Sequence, residues 1–435
     1  MLKTVWTRLS KYLIDPILHE IKSEESKQSV WFTTSSALKT LIQMVTSLIV
    51  ARMILPENIG IWKSIVLIQS YINILQLGVL EGLNRQYPLY KGAGKDQSAI
   101  ERAHVAYTYM IYVSILSGII VLILATIFLV RGSGTKTLVA ILLFTLQAIS
   151  TPLWKYDDIL YRTERDFSSL GWIQFAESIY LIISLIFVYF GDWLGMMIRF
   201  SLIFPVGLLL REIYRPIPVD TKFNKQYFIE MVKIGWKVML SVYLYGILMV
   251  ADTTIIAMVL GQKQLGYYTV AVTIRGAIVV FPNAINKILY PRMAFRYGKT
   301  KTPAELKKIA FLPVFYNALI LLVPTIFLWF TLDPLVTVIL PQYTNGISAA
   351  KWMVIASYFM GLRSSVLIFR TLNRIETEIV LILASIVLMY LLGLWSANTF
   401  GSITSVSIAN MAVMGLLTIG LNIYAYQMVN GTERA

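Results

Sequence analysis

Six ionisable residues stand inside long apolar stretches of this sequence, where a charge costs several kcal/mol unless it is paired or faces water. Basic side chains in such positions can hold an anionic group such as a phosphate, and carboxylates can carry a coupling proton or cation. The predicted substrate-binding residues, which would form a cationic cavity, are Lys39, Arg199, Arg275 and Lys287. The predicted ion-coupling or charge-pairing residues are Asp252 and Glu177.

Asp252 and Arg275 fall at similar depth on two apolar segments that follow each other in the chain. Two interpretations stay open for them. They can neutralise each other as a structural pair, or Arg275 can hold a substrate phosphate while Asp252 carries the coupling ion. Lys39 and Arg199 have no evident partner at their depth. A cavity with this surplus of positive charge favours an anionic substrate over a cationic one.

The composition excludes most other chemistry. The chain has 435 residues, of which 57% are hydrophobic and 14% charged, against about 25% charged residues in soluble domains. It contains no Cys, and its two His residues, His19 and His104, are far apart, which argues against a disulfide framework, a thiol nucleophile and a metal site. No nucleotide-binding loop or catalytic triad is visible. We therefore predict a membrane protein that is not an enzyme and needs no cofactor.

The apolar segments predict about twelve transmembrane helices. These lie near 30–53, 61–83, 104–130, 137–155, 168–190, 193–211, 236–260, 266–289, 309–332, 346–369, 377–397 and 401–427. A tight turn at Gly191-Asp192 separates the fifth from the sixth. Most of the 38 Lys and Arg residues fall on one side of this arrangement, which the positive-inside rule assigns to the cytoplasm together with both termini. The same rule explains the net charge of +15 without a nucleic-acid partner.

The chain also repeats itself. Residues Ile49 to Gly92 align without a gap on Ile255 to Gly298. Both copies contain an apolar helix, a polar turn, a Gly with an aromatic residue two positions later, and a second apolar helix. An even number of helices separates the copies, so the two halves should be parallel repeats, an arrangement typical of transporters. The predicted domains are a cytoplasmic amphipathic N-terminal segment (1–29), a first lobe (30–211), a cytoplasmic linker (212–235), a second lobe (236–427) and a cytoplasmic tail (428–435).

Several short motifs in the first copy resemble the opening of the Wzx-type polysaccharide or O-antigen flippases, the oligosaccharidyl-lipid flippases of the MOP superfamily. They are Ala51-Arg52, Leu55-Pro56-Glu57, Gly60-Ile61-Trp62, Leu77-Gly78 and Arg85, with Leu55 where the family usually has Gly. The resemblance implies an all-α, V-shaped MOP/MATE-like bundle of two six-helix lobes in the bacterial cytoplasmic (inner) membrane. It implies export of an undecaprenyl-diphosphate-linked oligosaccharide to the outer leaflet by alternating access, during O-antigen, lipopolysaccharide or exopolysaccharide biosynthesis. The implied partners are this lipid-linked oligosaccharide, membrane lipids, and the polymerase and glycosyltransferases of the pathway.

Two alternative functions remain open from the sequence. A cation-coupled drug antiporter of the MATE type would favour an anionic cavity, and Glu177 and Asp252 are the deep carboxylates that could form one. A membrane-embedded polymerase or glycosyltransferase would need a catalytic loop on the outer side, where the predicted connections are short. The sequence decides neither the glycan nor the choice between proton and sodium coupling.

Overall fold

The computed structural model describes residues 24–132, 134–300 and 302–430, and within these ranges the chain forms helices and no β-strand. Most of the predicted N-terminal segment 1–29 therefore lies outside the described residues. The first half contains α1 (Glu24–Met53), α2 (Pro56–Ile72), α3 (Val79–Gly92), α4 (Asp96–Val130), α5 (Thr135–Thr163), α6 (Phe167–Ile183) and α7 (Leu185–Ile213). The second half contains α8 (Lys225–Ile255), α9 (Gln262–Thr300), α10 (Leu306–Ile339), α11 (Ile347–Gly361), α12 (Val366–Thr371), α13 (Ile375–Phe400) and α14 (Ile403–Asn430).

The helices agree with a protein that crosses a membrane many times. Ten helical segments among the described residues are long and apolar enough to span a bilayer, and the bent pair α2–α3 would make an eleventh. The shorter helix α6 is also apolar. The prediction of an all-α membrane protein with about twelve spans is confirmed.

The second predicted span is broken rather than continuous. The segments Pro56–Gln76 and Val79–Gly92 meet at 52°. The break falls at Leu77 and Gly78, whose φ values of 47° and 81° are left-handed. A Cβ on Gly78 would lie 2.6 Å from the backbone of the Gly235–Trp236 segment, so the close approach requires glycine. The predicted unbroken helix over 61–83 is wrong here, because nothing in its hydropathy marks a left-handed leucine.

The predicted turn at Gly191-Asp192 is confirmed. Asp192 has φ 47° and ψ −128° and interrupts α7. A Cβ on Gly195 would overlap the Phe187 carbonyl oxygen, which shows that the chain folds back tightly on itself. A further break at Ser184, between α6 and α7, has no counterpart in the predicted span 168–190.

Contacts divide the chain into two units, and each unit is built from segments that are separate in the sequence. The first consists of the described residues up to Ser47, Gly82–Ile120 and Thr145–Met231. The second consists of Leu48–Glu81, Val121–Phe144 and the residues from Val232 onward. Residues Leu48–Glu81, which the repeat places in the first lobe, thus pack with the second half of the chain. The predicted lobe boundaries follow the sequence repeat rather than these contact units, and they stay a prediction.

The repeat is visible as a reciprocal helix contact inside the second unit. A Cβ on Gly60 of α2 would overlap the Gln262 carbonyl oxygen, and a Cβ on Gly266 of α9 would overlap the Pro56 carbonyl oxygen. Gly60 and Gly266 are equivalent in the repeat, and so are Pro56 and Gln262. The N-terminal ends of the two helices therefore meet as expected for parallel copies related by a two-fold axis, and small residues permit the close contact.

A side chain from the second half caps the end of α1. The Gln342 amide nitrogen lies 2.7, 3.1 and 2.9 Å from the carbonyl oxygens of Ala51, Arg52 and Ile54, and its two N–H groups are shared among these three acceptors. The Tyr343 hydroxyl also donates to the Ile54 carbonyl at 2.9 Å. The last carbonyls of a helix have no partner within it, so these two residues satisfy groups that would otherwise be orphaned.

Candidate functional site

The second unit contains the acid–base pair predicted from the sequence. Arg275 of α9 donates from a terminal guanidinium nitrogen to a carboxylate oxygen of Asp252 on α8, at 2.9 Å. The Tyr268 hydroxyl donates to the same oxygen at 2.7 Å. The backbone N–H and hydroxyl of Thr253 donate to the other oxygen, at 2.7 and 3.0 Å. Asp252 is fully buried and receives four hydrogen bonds, so its charge is well compensated.

Helix α8 is irregular immediately beyond this pair. Residues Ile256–Leu260 form a turn of π-helix before Gly261. Such turns are uncommon and often occur at functional sites. Here the π-helical turn lies between Asp252 and the start of α9, which carries Arg275.

Lys63 adds a second basic residue to this region. It lies on α2, close enough to Arg275 for a charge on one residue to act on the other. Among the described residues Lys63 has no hydrogen-bond or ion-pair partner. Asp252 is already paired with Arg275, so this carboxylate is not a free counter-charge for Lys63.

A group of hydroxyls links α2 to α8 and α13 in the same unit. The Tyr71 hydroxyl lies 2.8 Å from the Thr254 hydroxyl and 3.2 Å from that of Tyr390. The Tyr243 hydroxyl donates to the Tyr71 carbonyl at 3.3 Å. Tyr71 is 36% exposed, so part of this hydroxyl surface remains available to a ligand.

Lys39 and Glu177 form a partly buried ion pair in the first unit. The Lys39 ammonium lies 2.6 Å from a Glu177 carboxylate oxygen. Arg211 donates to the other oxygen, and the Trp154 indole N–H donates to it at 3.3 Å. The Arg211 guanidinium also stacks over the Trp154 ring, 4.4 Å from its centroid. Sequence reasoning found Lys39 and Glu177 but left Lys39 without a partner.

Arg199 is buried beside the kinked part of α7. Its guanidinium donates to the Leu181 carbonyl at 3.0 Å and lies 5.3 Å from the centre of the Phe200 ring. Its side chain is 1% exposed, and its Nε has no hydrogen-bond partner within the described chain. That Lys39, Arg199 and Arg275 line one cationic cavity stays a prediction. Lys287 lies on α9, and its side chain is outside the described part of the structure.

Arg211 and Lys63 are among the basic residues that sequence reasoning missed. Arg211 reads as the start of a basic cytoplasmic connection, but it is fully buried in the last turn of α7. Lys63 falls at the start of the predicted second span and does not stand out there as a deep charge. The repeat contained a signal for Lys63: it replaces Thr269 of the other copy, whereas Arg275 replaces Gln69. Lys63 and Arg275 are thus each basic in one copy where the other copy has an uncharged residue.

Comparison with known sequences identifies a family. The profile described as "Polysaccharide biosynthesis protein" matches residues 26–295, more than half of the chain. No curated protein sequence is detectably similar.

Solved structures with the same fold are transporters. An inward-facing multidrug resistance MATE family transporter of the MOP superfamily has a TM-score of 0.75 at 14% identity, covering 91% of this chain and 96% of the other. An outward-facing structure of such a transporter has a TM-score of 0.68 at 14% identity, with coverages of 95% and 98%. The Vibrio cholerae MATE transporter VcmN in its bent form has a TM-score of 0.58 at 16% identity, with coverages of 94% and 98%. The fold is therefore that of MATE transporters, and the chain belongs to the polysaccharide biosynthesis protein family of Wzx-type flippases.

Proposed function

We propose that this membrane transporter moves an undecaprenyl-diphosphate-linked oligosaccharide from the cytoplasmic to the outer leaflet by alternating access. It would act in the bacterial inner membrane, with both termini in the cytoplasm, during surface polysaccharide biosynthesis. The family match supports a role with lipid-linked glycans. The charge distribution of the spans supports the orientation.

The observation that carries the proposal is the pair of basic residues Lys63 and Arg275. Both lie on membrane-spanning helices, and a single carboxylate, Asp252, is bound to one of them. Burial without a carboxylate partner disfavours the ammonium form of Lys63, and an anion that binds beside it would stabilise that form, so the substrate diphosphate would supply the missing counter-charge. A diphosphate bears the matching charge and several acceptor oxygens. Lys39, Arg199 and Lys287 are further candidate contacts for the same group as it moves.

The hydroxyl group around Tyr71 suits the glycan portion of such a substrate. Sugar hydroxyls both donate and accept hydrogen bonds, as do the hydroxyls of Tyr71, Tyr390 and Thr254. Tyr71 and Thr254 are on the same α2 and α8 helices as Lys63 and Asp252. Diphosphate and sugar contacts would thus be distributed along two neighbouring helices.

Transport must be driven by an ion gradient or by consumption of the substrate on the far side. Asp252 and Glu177 are the candidate coupling residues, and both are paired with basic side chains in this conformation. A proton or cation can act on such a carboxylate only when its basic partner moves away. If the substrate phosphate draws Arg275 away from Asp252, the carboxylate becomes free to bind a proton or cation. Substrate binding and ion binding would then be linked.

A cation-coupled antiporter is the alternative that the MATE fold keeps open. An antiporter for cationic drugs needs an uncompensated carboxylate, whereas Asp252 and Glu177 are each neutralised by arginine or lysine. The charge arrangement therefore favours the flippase. A polymerase or glycosyltransferase of the same pathway has no supporting observation here.

A competition binding experiment tests the substrate class. The purified protein in detergent is offered a fluorescent polyprenyl diphosphate, with inorganic diphosphate or a cationic dye as competitor. We expect saturable binding of the lipid diphosphate that weakens at least tenfold in Lys63→Ala, while Lys263→Ala behaves as wild type. Lys263 is an exposed lysine on α9 and controls for a general loss of charge. Tight binding of the dye without binding of the lipid diphosphate would favour the antiporter instead.

A further inference from the structure

A groove lies at the basic end of α10, away from the charged residues discussed above. It has a volume of about 610 Å³ and lies between the last turns of α9 and the first turns of α10. Its lining residues are Arg296, Ala304, Glu305, Lys307, Lys308, Phe311, Leu312 and Phe315. One end of the groove is therefore charged and the other is apolar.

The charged end has more basic than acidic groups. Arg296 forms an ion pair with Glu305 at 2.5 Å. The Lys307 ammonium donates to the Asn430 side-chain oxygen at 3.1 Å, which fixes it without neutralising its charge. Lys308 is exposed and has no hydrogen-bond or ion-pair partner among the described residues. Lys307 and Lys308 thus leave two positive charges available to an anion.

The apolar end continues along a helix that faces lipid. Only 11% of the residues in the apolar window of the α10 span are buried, the smallest share of any candidate span in the described chain. Phe315 is 58% exposed and Leu312 is 36% exposed. At about 1.5 Å per residue, Lys308 and Phe315 are roughly 10 Å apart along the helix. This distance places the lysine at headgroup depth and the phenylalanine beside the acyl chains.

We propose that this groove binds an anionic phospholipid of the surrounding bilayer. Its phosphate contacts Lys307 and Lys308, and one acyl chain lies along Phe311, Leu312 and Phe315. A soluble anion would use the basic end alone and gain nothing from the exposed aromatic rings. A basic pocket that opens directly onto a lipid-facing helix selects a ligand that is both anionic and apolar. This site is separate from Lys63 and Arg275, and it does not depend on the proposed substrate.

Native mass spectrometry of the full-length protein in detergent measures such binding directly. Phosphatidylglycerol and phosphatidylcholine are titrated separately, and inorganic phosphate and farnesyl diphosphate are then added as competitors of bound phosphatidylglycerol. We expect phosphatidylglycerol to bind in preference to phosphatidylcholine, and its affinity to fall about fivefold in Lys308→Gln, as expected for one basic residue at a membrane surface. Lys308→Arg should bind as wild type. Lys95→Gln, an exposed lysine of the first contact unit, should also be unchanged.

Three outcomes would overturn the proposal. Equal binding of phosphatidylglycerol by wild type and Lys308→Gln would show that the lipid binds elsewhere. Inorganic phosphate that competes fully would show a site for soluble anions. Farnesyl diphosphate that displaces phosphatidylglycerol from this groove at lower concentration would assign the groove to the transported lipid. Lys308 has no partner to lose among the described residues, so the variant should fold, and size-exclusion chromatography verifies this.

Discussion

Replacement of Asp252 by asparagine should destabilise the protein strongly. Asp252 is fully buried and Arg275 is 6% exposed, so the variant leaves an arginine charge uncompensated inside the bundle. Removal of one partner from a buried ion pair costs about 3–5 kcal/mol. An amide has one oxygen, whereas the carboxylate uses both of its oxygens, one toward Thr253 and one toward Arg275 and Tyr268. The single oxygen of the asparagine could therefore accept hydrogen bonds from Thr253 or from Arg275 and Tyr268, but not from both sets of donors.

The assay is equilibrium unfolding of the purified protein in mixed micelles, followed by tryptophan fluorescence. Asp252→Asn should lower the free energy of unfolding by about 3–5 kcal/mol. The double variant Asp252→Asn with Arg275→Gln should recover much of this loss, because the buried charge is then gone. Asp220→Asn is the matched control, since Asp220 pairs with Lys222 on the exposed linker and should change stability little.

The reasoning would be refuted if Asp252→Asn unfolded within about 0.5 kcal/mol of wild type, the scatter expected for a harmless substitution. A stable Asp252→Asn that binds the lipid diphosphate but no longer transports it would assign Asp252 to ion coupling. A variant that is both unstable and rescued by Arg275→Gln would assign the pair to the fold. The two interpretations that the sequence leaves open are thereby separated.

Three further predictions concern other buried contacts. Gly60→Ala should lower the free energy of unfolding by at least about 1–3 kcal/mol through overpacking, because its methyl group overlaps a backbone carbonyl; Gly246→Ala, which has open space around it, is the control in the same unfolding assay. Gln342→Ala removes the two N–H donors that serve three carbonyl oxygens at the end of α1 and should cost about 2 kcal/mol by the same measurement; an unchanged unfolding midpoint would show that water replaces them. Glu177→Gln removes the counter-charge of Lys39 and leaves the buried Arg211 with a 3.9 Å contact to Asp158 as its counter-charge among the described residues, so it should cost about 3 kcal/mol, whereas the exposed Glu57→Gln should not; equal stability of the two variants would count against the Glu177–Arg211 pair.

Features that depend on periodicity or depth could be predicted from the sequence. The spans follow from apolar length, and the turn at Asp192 follows from its flanking glycine and charge. The Asp252–Arg275 pair could be predicted because the two helices are consecutive and the residues share a depth. The parallel repeat could be predicted from an even number of intervening helices, and the Gly60 contact agrees with it.

Features that depend on which helices touch could not be predicted. Lys39 and Glu177 are 138 residues apart, and no local pattern brings them together. The sequence around Arg211 indicates a basic connection between helices. The burial of Arg211 depends on how far α7 extends beyond the apolar run, which the sequence pattern does not indicate. The left-handed Leu77 that bends α2 away from α3 likewise has no signature in hydropathy.

The central claim is best tested by direct measurement of translocation. The purified protein is reconstituted into vesicles that contain an undecaprenyl-diphosphate-linked oligosaccharide on the loading side, and a membrane-impermeant lectin reports its appearance on the other side. We expect wild type and Lys263→Ala to accelerate this appearance over protein-free vesicles, and Lys63→Ala not to do so although it is folded and inserted. Equal rates in vesicles with and without the wild-type protein, under an imposed proton or sodium gradient, would contradict the claim.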